Sequence, residues 1–164
     1  MKAIVMTAIA LFTVTTVSAK NTDLDRFMSH YAGRSDFQTA QMDAASMPKE
    51  MSNPDEKASI DNLYVIGSAD IDDQMIRDTK MDVYLLSDRQ NYERLAEFTV
   101  DNGREEITIY GKENCNGDLC GLIIVEHSLR KNSLNFVIME GTFDGELIAA
   151  LKAAGEAEQM AGLF

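Results

Sequence analysis

The sequence predicts an α+β fold in which an antiparallel β-meander of four or more strands is covered on one face by helices. The strands are predicted from the second half of the chain, where β-favouring runs alternate with short turns. The helices are predicted from segments whose apolar residues recur every three or four positions. Consecutive strands with short turns pair antiparallel, and an apolar sheet face must be buried, so these observations together indicate this class.

The first nineteen residues are predicted to form a secretory signal peptide. Lys2 supplies the positive end, Ala3–Val17 is an uncharged and mostly apolar run, and Ala19 ends a small-residue cleavage site. The run is shorter than the roughly 20 apolar residues that a transmembrane helix needs. We therefore expect cleavage after Ala19, export to the periplasm or the cell exterior, and no stable membrane insertion afterwards. A retained anchor is the alternative.

Composition indicates that the rest of the chain is one acidic globular domain. The 164 residues carry 15 Lys and Arg against 27 Asp and Glu, which gives a net charge of −12. Nucleic-acid phosphates are bound mainly by clusters of Lys and Arg, so this balance argues against a nucleic-acid partner. A hydrophobic content of 45% is too high for a disordered acidic chain. We expect a single α+β domain over residues 20–154 and a frayed tail over residues 155–164.

The first half of this domain is predicted to contain one helix and two strands. The helix follows from an apolar stripe that Gly33 closes. This stripe consists of Leu24, Phe27, Met28 and Tyr31. Phe37–Met42 and Ile60–Ser68 are predicted as strands, the second being rich in β-favouring residues. Between them, Ala44–Met51 is predicted as a short helical turn and Asn53–Ala58 as a polar surface loop.

A second helix is predicted from about Asp72 to Leu86. Its apolar face has helical spacing and comprises Met75, Ile76, Thr79, Val83 and Leu86. Asp70, Asp72 and Asp73 lie at its start, where the helix macrodipole favours negative charge. Clustered acids also suit Ca²⁺, but these lack the turn glycine and the terminal Glu of an EF-hand loop. We interpret them as helix-capping residues.

The most regular part of the chain is predicted to be a four-stranded meander. Leu95–Val100 and Glu105–Lys112 flank an Asn-Gly turn and are predicted as a hairpin. The next two strands are predicted over Gly121–Glu126 and Leu134–Glu140, and Gly141-Thr142 is expected to break the last one. The residues alone leave open whether the two earlier strands join this sheet.

A closing helix is predicted after the meander. Asp144 is placed to cap it. Leu147, Ile148 and Leu151 fall on one face of this helix, and we expect that face to point inward.

Cys115 and Cys120 flank a four-residue loop that is rich in turn-forming residues. If strands flank the loop, the two cysteines lie opposite each other at its base, within reach of a disulfide. Export to an oxidising compartment favours the bond. The spacing is not that of a C-x-x-C motif, and no second Cys or His pair lies nearby to complete a zinc site. We predict a structural disulfide between Cys115 and Cys120, with free thiols and a redox or metal role as the alternatives.

The two histidines are the natural candidates for acid–base chemistry. His30 is predicted at the polar end of the first apolar stripe, and His127 just past a strand, among exposed turn residues. Ser128 does not form a catalytic pair with His127, because adjacent residues of an extended chain point to opposite faces. The sequence contains neither a nucleophile elbow nor a zinc-protease motif. We interpret both histidines as surface or structural residues and expect no catalytic residue.

Methionines are the remaining candidates for a metal site. Thioethers bind copper, and four methionines of the first half of the mature chain are candidates: Met28, Met42, Met47 and Met51. Methionine more often fills gaps in a core, and no tight Met-x-Met repeat is present. We therefore expect no metal and no cofactor.

Short motifs follow one another along the chain in an order that resembles a known family. They are Phe27-x-x-x-Tyr31, Met47-Pro48-Lys49-Glu50-Met51, Leu63-Tyr64-Val65-Ile66, Tyr92-Glu93-Arg94-Leu95, Asp101-Asn102-Gly103, Ile107-Thr108-Ile109-Tyr110, Leu122-Ile123-Ile124-Val125 and Glu140-Gly141-Thr142-Phe143. Over Asp25–Leu151 this order is similar to that of the small exported bacterial proteins grouped as a domain of unknown function, number forty-two fifty-two. The resemblance implies an envelope location and an α+β fold, and it brings no activity and no functional residues. The chain lacks the lipobox cysteine that many of those proteins carry.

Three functions are compatible with these features. The leading hypothesis is a non-enzymatic envelope module that binds a protein or peptide partner, for example in envelope signalling, since a meander offers a free sheet edge for strand addition. The second is a carrier of a small ligand or ion, and the third is a hydrolase of unrecognised type that uses His30 or His127.

Overall fold

The computed structural model describes residues 22–46, 59–114, 116–143 and 149. Two helices and six strands follow one another within these residues. They are α1 (Thr22–Ala32), β1 (Phe37–Asp43), β2 (Ser59–Ser68), α2 (Asp73–Arg89), β3 (Glu93–Val100), β4 (Glu105–Glu113), β5 (Leu119–Ser128) and β6 (Ser133–Phe143). The predicted α+β class is confirmed.

The described strands form one antiparallel sheet in the order β1-β2-β6-β5-β4-β3. The predicted meander is confirmed, because each strand from β3 to β6 pairs with the next one along the chain. β2 pairs with β6 and carries β1 on its other side, so both early strands belong to the same sheet. α2 connects β2 to β3. In this strand order, β1 and β3 lie at opposite edges of the sheet.

Both described helices pack on one face of the sheet, which we call the helix face. Every second residue of a strand points to this face, since side chains alternate along a strand. The buried residues of the helix face are Leu24, Met28, Tyr31, Phe37, Tyr64, Ile66, Ile71, Ile76, Val83, Leu86, Ile123, Val125, Leu134, Phe136 and Ile138. They form the largest part of the apolar core and bring α1 and α2 together on the sheet.

Local sequence signals set the start of α2. Asp72 accepts a hydrogen bond from the backbone N–H of Met75 through Oδ1 at 2.7 Å. The interpretation of Asp72 as a helix-capping residue is therefore confirmed. The helix continues past the predicted end at Leu86 to Arg89, whose positive charge suits the last turn of a helix.

Aromatic contacts hold α1 against the sheet. The ring of Tyr31 is fully buried and lies 4.9 Å from the ring of Phe27 and 4.8 Å from that of Phe37 in β1. Its hydroxyl donates to Asp82 Oδ2 in α2 at 2.7 Å. Burial, reinforced by Asp82, raises the pKa of Tyr31 well above its usual value, so the hydroxyl remains a donor. Tyr31 thereby ties α1 to both β1 and α2.

The turn between β3 and β4 confirms the predicted hairpin. Asp101, Asn102 and Gly103 all have positive φ, at 55°, 57° and 78°. Asn, Asp and Gly reach this region more readily than other residues do, which explains the sequence of the turn. β3 begins at Glu93, two residues before the predicted Leu95.

The last strand does not break at Gly141-Thr142, so that prediction is wrong. Ser59 and Ile60 at the start of β2 pair with Thr142 and Gly141. A side chain at position 141 would collide with the main chain of Ser59. Gly141 therefore permits the close approach of β2, and β6 continues to Phe143.

Several predicted features lie outside the described residues. They are the signal peptide over residues 1–19, the loop over Asn53–Ala58, most of the turn over Ala44–Met51, the closing helix that Asp144 would cap, and the tail over residues 155–164. Of the predicted closing helix, Ala149 is described, and it is helical and exposed. Within the described ranges, no helix is both long enough and apolar enough to cross a membrane.

Candidate functional site

The outer edge of β1 carries main-chain groups that β2 does not use. The N–H of Ala44 donates to Asp61 O at 2.9 Å, so the even-numbered residues of this strand form the hydrogen-bonded pairs with β2. The odd-numbered residues consequently direct their N–H and C=O groups away from the sheet. At the ends of β1 the outward N–H groups have local acceptors, since Phe37 N donates to Arg34 O and Asp43 N to Ser46 Oγ.

In the middle of this edge, the outward groups belong to Thr39 and Gln41. Their main-chain N–H and C=O groups make no hydrogen bond to any described residue. The stretch from Phe37 to Met42 contains no charged residue, no proline and no shift in register with β2. Such an edge offers donors and acceptors to an added strand with no device to repel it.

The opposite edge, β3, is built differently. Its register with β4 shifts between Arg94 and Ala96, which marks a β-bulge. Glu93, Arg94 and Glu97 place three charges along eight residues, and Arg94 Nη1 contacts Glu97 Oε2 at 2.6 Å. Charges and bulges are the features by which natural sheets prevent edge-to-edge pairing. β3 is thus a protected edge, whereas β1 is an open one.

His30, one of the two candidate histidines, lines a cleft between α1 and α2 together with the carboxylates of Asp23 and Asp82. The cleft encloses about 240 Å³ and is lined by Asp23, Arg26, Phe27, His30, Asp82, Leu85, Leu86 and Arg89. His30 is exposed, as the sequence predicts, and its ring packs edge-on against Tyr31. Among the described residues of the lining, none has a hydroxyl or thiol side chain that could act as a nucleophile.

The outer side of α2 carries exposed apolar side chains. Met81, Tyr84 and Leu85 occupy positions i, i+3 and i+4 and are 56%, 54% and 39% exposed. Leu85 also lines the cleft, so this stripe continues into it. Exposed apolar groups that lie side by side are a feature of interaction surfaces. The stripe is therefore a second surface on which a protein partner could dock.

The other histidine lies in a polar cluster that joins α2 to the sheet. His127 is 7% exposed and lies within β5, so the prediction of an exposed turn residue is wrong. It pairs with Glu106 across the β4–β5 ladder, and both residues face Lys80 of α2. The sequence signal failed because β5 extends two residues past its predicted end at Glu126.

Within this cluster, His127 Nδ1 is 3.0 Å from both Lys80 Nζ and Glu106 Oε2, and these last two atoms are 2.8 Å apart. Lysine only donates and a carboxylate only accepts, so Nδ1 either donates to Glu106 or accepts from Lys80. The hydrogen bonds from Lys80 and then His127 lower the pKa of the Glu106 carboxyl. The arrangement ties α2 to the β3 side of the sheet.

The predicted disulfide remains a prediction. Cys120 lies half-buried in β5, and Cys115 lies outside the described residues, so the structure does not describe how the two cysteines are paired. The alternatives of free thiols and of a redox or metal role stay open with it.

The remaining metal candidates are spread over the molecule. Asp72 caps α2, and Met28 and Met42 lie in apolar clusters on opposite faces of the sheet. Met47 and Met51 lie outside the described residues. In the described parts of the chain, no group of three His, Cys, Asp or Glu side chains could hold a metal ion.

No family model, curated protein or solved structure matches this chain. The resemblance to the exported domain of unknown function therefore stays a prediction, and the support for a function comes from the geometry described above.

Proposed function

We propose that this protein is an exported, non-enzymatic module that binds an extended segment of an envelope protein or peptide by adding it as a strand beside β1. The observation that carries the proposal is the open edge at Thr39 and Gln41. Their outward N–H and C=O groups provide two donors and two acceptors at the spacing of a β-ladder. Strand addition of this kind draws its affinity from main-chain hydrogen bonds.

The side chains of β1 indicate what kind of segment fits. On the helix face, the added strand would lie beside Thr39 and Gln41, which are polar. On the other face, it would lie beside Ala40 and Met42, which belong to an apolar cluster with Leu63. An added strand also alternates its side chains between the two faces. The segment we expect therefore alternates polar and apolar residues, and its apolar side chains extend the cluster around Met42.

The expected affinity is modest. A net contribution of about 0.5–1.5 kcal/mol for each of four main-chain hydrogen bonds gives about 2–6 kcal/mol before the side chains are counted. Part of this is lost to ordering the segment. We therefore expect a dissociation constant between about 0.1 mM and 1 mM for a short peptide.

Titration of an acetylated and amidated Thr-Val-Thr-Val-Thr-Val-Thr peptide into the ¹⁵N-labelled protein tests the proposal. The amide signals of Thr39 and Gln41 are expected to shift in a saturable way. Gln41→Pro removes one outward donor and is expected to weaken binding about two- to tenfold, while the fold is kept because that N–H does not bond to β2. Changes confined to the α2 stripe, or none at about 2 mM peptide, would contradict the proposal.

A matched pair of substitutions separates the edge from general charge effects. Thr39→Lys adds a charge to β1, and Thr99→Lys adds the same charge to β3. We expect Thr39→Lys to weaken binding at least about tenfold and Thr99→Lys to leave it unchanged, because charge on the paired edge opposes strand addition. Equal weakening by both would show that the net charge of the protein, and not the edge, controls binding.

The two other functions have less geometric support. The cleft of about 240 Å³ is smaller than the roughly 300–1,000 Å³ of typical small-molecule sites. A hydrolase would need a nucleophile or an activated water beside His30 or His127. The described side-chain contacts of His127 are with Lys80 and Glu106, and no Ser, Thr or Cys side chain is among them.

A further inference from the structure

The sheet has a second apolar face, opposite α1 and α2, which we call the open face. Its apolar residues form two clusters that consist entirely of strand residues. The cluster over the β3 side has four buried members, Ile109, Leu119, Leu122 and Phe143. Partly buried residues surround them: Ile60, Leu95, Ala96, Phe98, Ile107, Ile124 and Met139. No described helix contributes to this cluster.

The centre of this cluster is nevertheless as inaccessible as the core under the helices. Ile109 is 2% exposed and Leu122 is 1% exposed, whereas Ile123, on the helix face of the same strand as Leu122, is 0% exposed. Aliphatic side chains on an uncovered sheet face keep one side in water. The burial of Ile109 and Leu122 therefore indicates that this part of the open face is covered.

The chain itself leads onto this cluster. β6 ends at Phe143, which is 5% exposed and belongs to the cluster, and Phe143 pairs with Leu119 at the start of β5. The next 21 residues of the chain begin at this point, residues 144–164. A segment that starts here is the nearest material in the sequence that could lie on the open face.

The sequence of this segment is suited to covering an apolar sheet face. Leu147, Ile148 and Leu151 share one side of a helix at 100° per residue, and Ala149 lies on the opposite side. Ala149 is helical and exposed, as this orientation requires. Eleven helical residues are about 16 Å long, close to five strand residues, so they reach from Phe143 to the level of Ile124.

We infer that residues 144–154 form a helix that covers the open face over β4 and β5, with Leu147, Ile148 and Leu151 packed on Ile109 and Leu122. The sheet is then enclosed by helices on both sides, and the edge at β1 is left uncovered by this segment. The inference does not depend on the proposed peptide binding.

Methyl-labelled full-length protein provides the direct test. We expect nuclear Overhauser effects between the methyl groups of Leu151 and those of Ile109 and Leu122. Their absence would overturn the inference. Effects seen only between differently labelled copies, together with a dimeric mass in sedimentation, would also overturn it, because a second copy would then be the cover.

Equal charge changes on the two sides of the helix give an independent test. Leu151→Glu turns a carboxylate towards the cluster, and it is expected to lower the urea midpoint by about 1 M or more and to increase binding of an apolar dye. Ala149→Glu adds the same charge on the exposed side and is expected to change neither. If Leu151→Glu does not fold, Leu151→Ala takes its place, with a smaller fall in the midpoint. Equal effects at positions 149 and 151 would contradict the inference.

Discussion

Strands β1 and β3 both lie at an edge of the sheet, yet they present different surfaces to another strand. β3 carries a bulge and three charges, two of which, on Arg94 and Glu97, form an ion pair. β1 keeps an unbroken register with β2 and has no charge between Phe37 and Met42. Among the described strands, each of the two pairs with one neighbour only, so the difference between them lies in the features that prevent pairing on the outer side.

The helices are also attached to the sheet by different contacts near β3 and near β1. Near β3, α2 is tied to the sheet by the polar cluster of Lys80, Glu106 and His127. Near β1, α1 is held by the buried aromatic ring of Tyr31 against Phe37. The open edge therefore lies on the side whose support is mainly apolar. A strand that pairs with β1 would meet an unbroken ladder in which Asp43, at the end of β1, is the one charged residue of that strand.

The largest expected effect comes from removing the aromatic support of β1. Tyr31→Ala is expected to lower the free energy of unfolding by about 3–5 kcal/mol, because a fully buried aromatic side chain is lost. Tyr31→Phe keeps the ring and loses the hydroxyl that bonds to Asp82, so it is expected to cost about 1 kcal/mol. Urea unfolding measures both. Similar losses for the two variants would show that the hydrogen bond, and not the ring, anchors α1.

Prolines at adjacent positions of β1 test which groups point outward. Ala40→Pro removes an N–H that bonds to Val65 in β2 and is expected to cost about 1–3 kcal/mol. Gln41→Pro removes an outward N–H and is expected to cost less than about 1 kcal/mol. Urea unfolding compares the two. A larger loss for Gln41→Pro than for Ala40→Pro would reverse the assignment of the outer edge.

Removing the charges of β3 tests whether they protect that edge. The variant with Arg94→Thr and Glu97→Thr loses a surface ion pair, so its stability is expected to change by less than about 1 kcal/mol. Its tendency to pair is expected to increase. In a titration with the Thr-Val peptide, the amide of Thr99 would then shift along with that of Gln41. If Thr99 still does not respond, the bulge alone protects β3.

The smallest expected effect is a pH dependence on the β3 side. The carboxyl of Glu106 has a pKa below its ordinary value of 4.5, because Lys80 and His127 bond to the ionised form. The hydrogen bonds to the ionised Glu106 carboxylate therefore stabilise the fold above the ordinary pKa of 4.5, and this contribution is lost as the pH falls through the lowered pKa. Glu106 is partly exposed, so we expect less than about 1 kcal/mol.

Urea unfolding of the wild type and of Glu106→Gln at several pH values checks this dependence. The wild type is expected to be the more stable at pH 7, and the difference between the two proteins is expected to shrink as the pH falls below 4.5 and through the lowered pKa of Glu106. A difference that grows towards acid pH would contradict the sign of the pKa shift.

Much of the fold could be predicted from the sequence, because its signals are local. The cap at Asp72, the Asn-Gly turn and the alternation of Ile107 and Ile109 each fix an element through its neighbours in the chain. The position of Gly141 inside β6 could not be predicted in the same way. Its role depends on the main chain of Ser59, which is far away in sequence.

The open edge could not be predicted either, for a similar reason. Which strand lies at an edge depends on the pairing of β2 with β6, and which residues of β1 point outward depends on the register with β2. The uncharged run from Phe37 to Met42 was the available signal, but it indicates only a strand. The position of His127 inside β5 was missed because its pairing with Glu106 is also non-local.

Amide hydrogen exchange along β1 tests the central claim most directly. In the free protein, we expect the amides of Ala40 and Met42 to be protected by their bonds to β2, while those of Thr39 and Gln41 exchange quickly. Saturation with the Thr-Val peptide is expected to slow exchange at Thr39 and Gln41. Slow exchange at both of these amides before any peptide is added would contradict the account, because the edge would then already be paired.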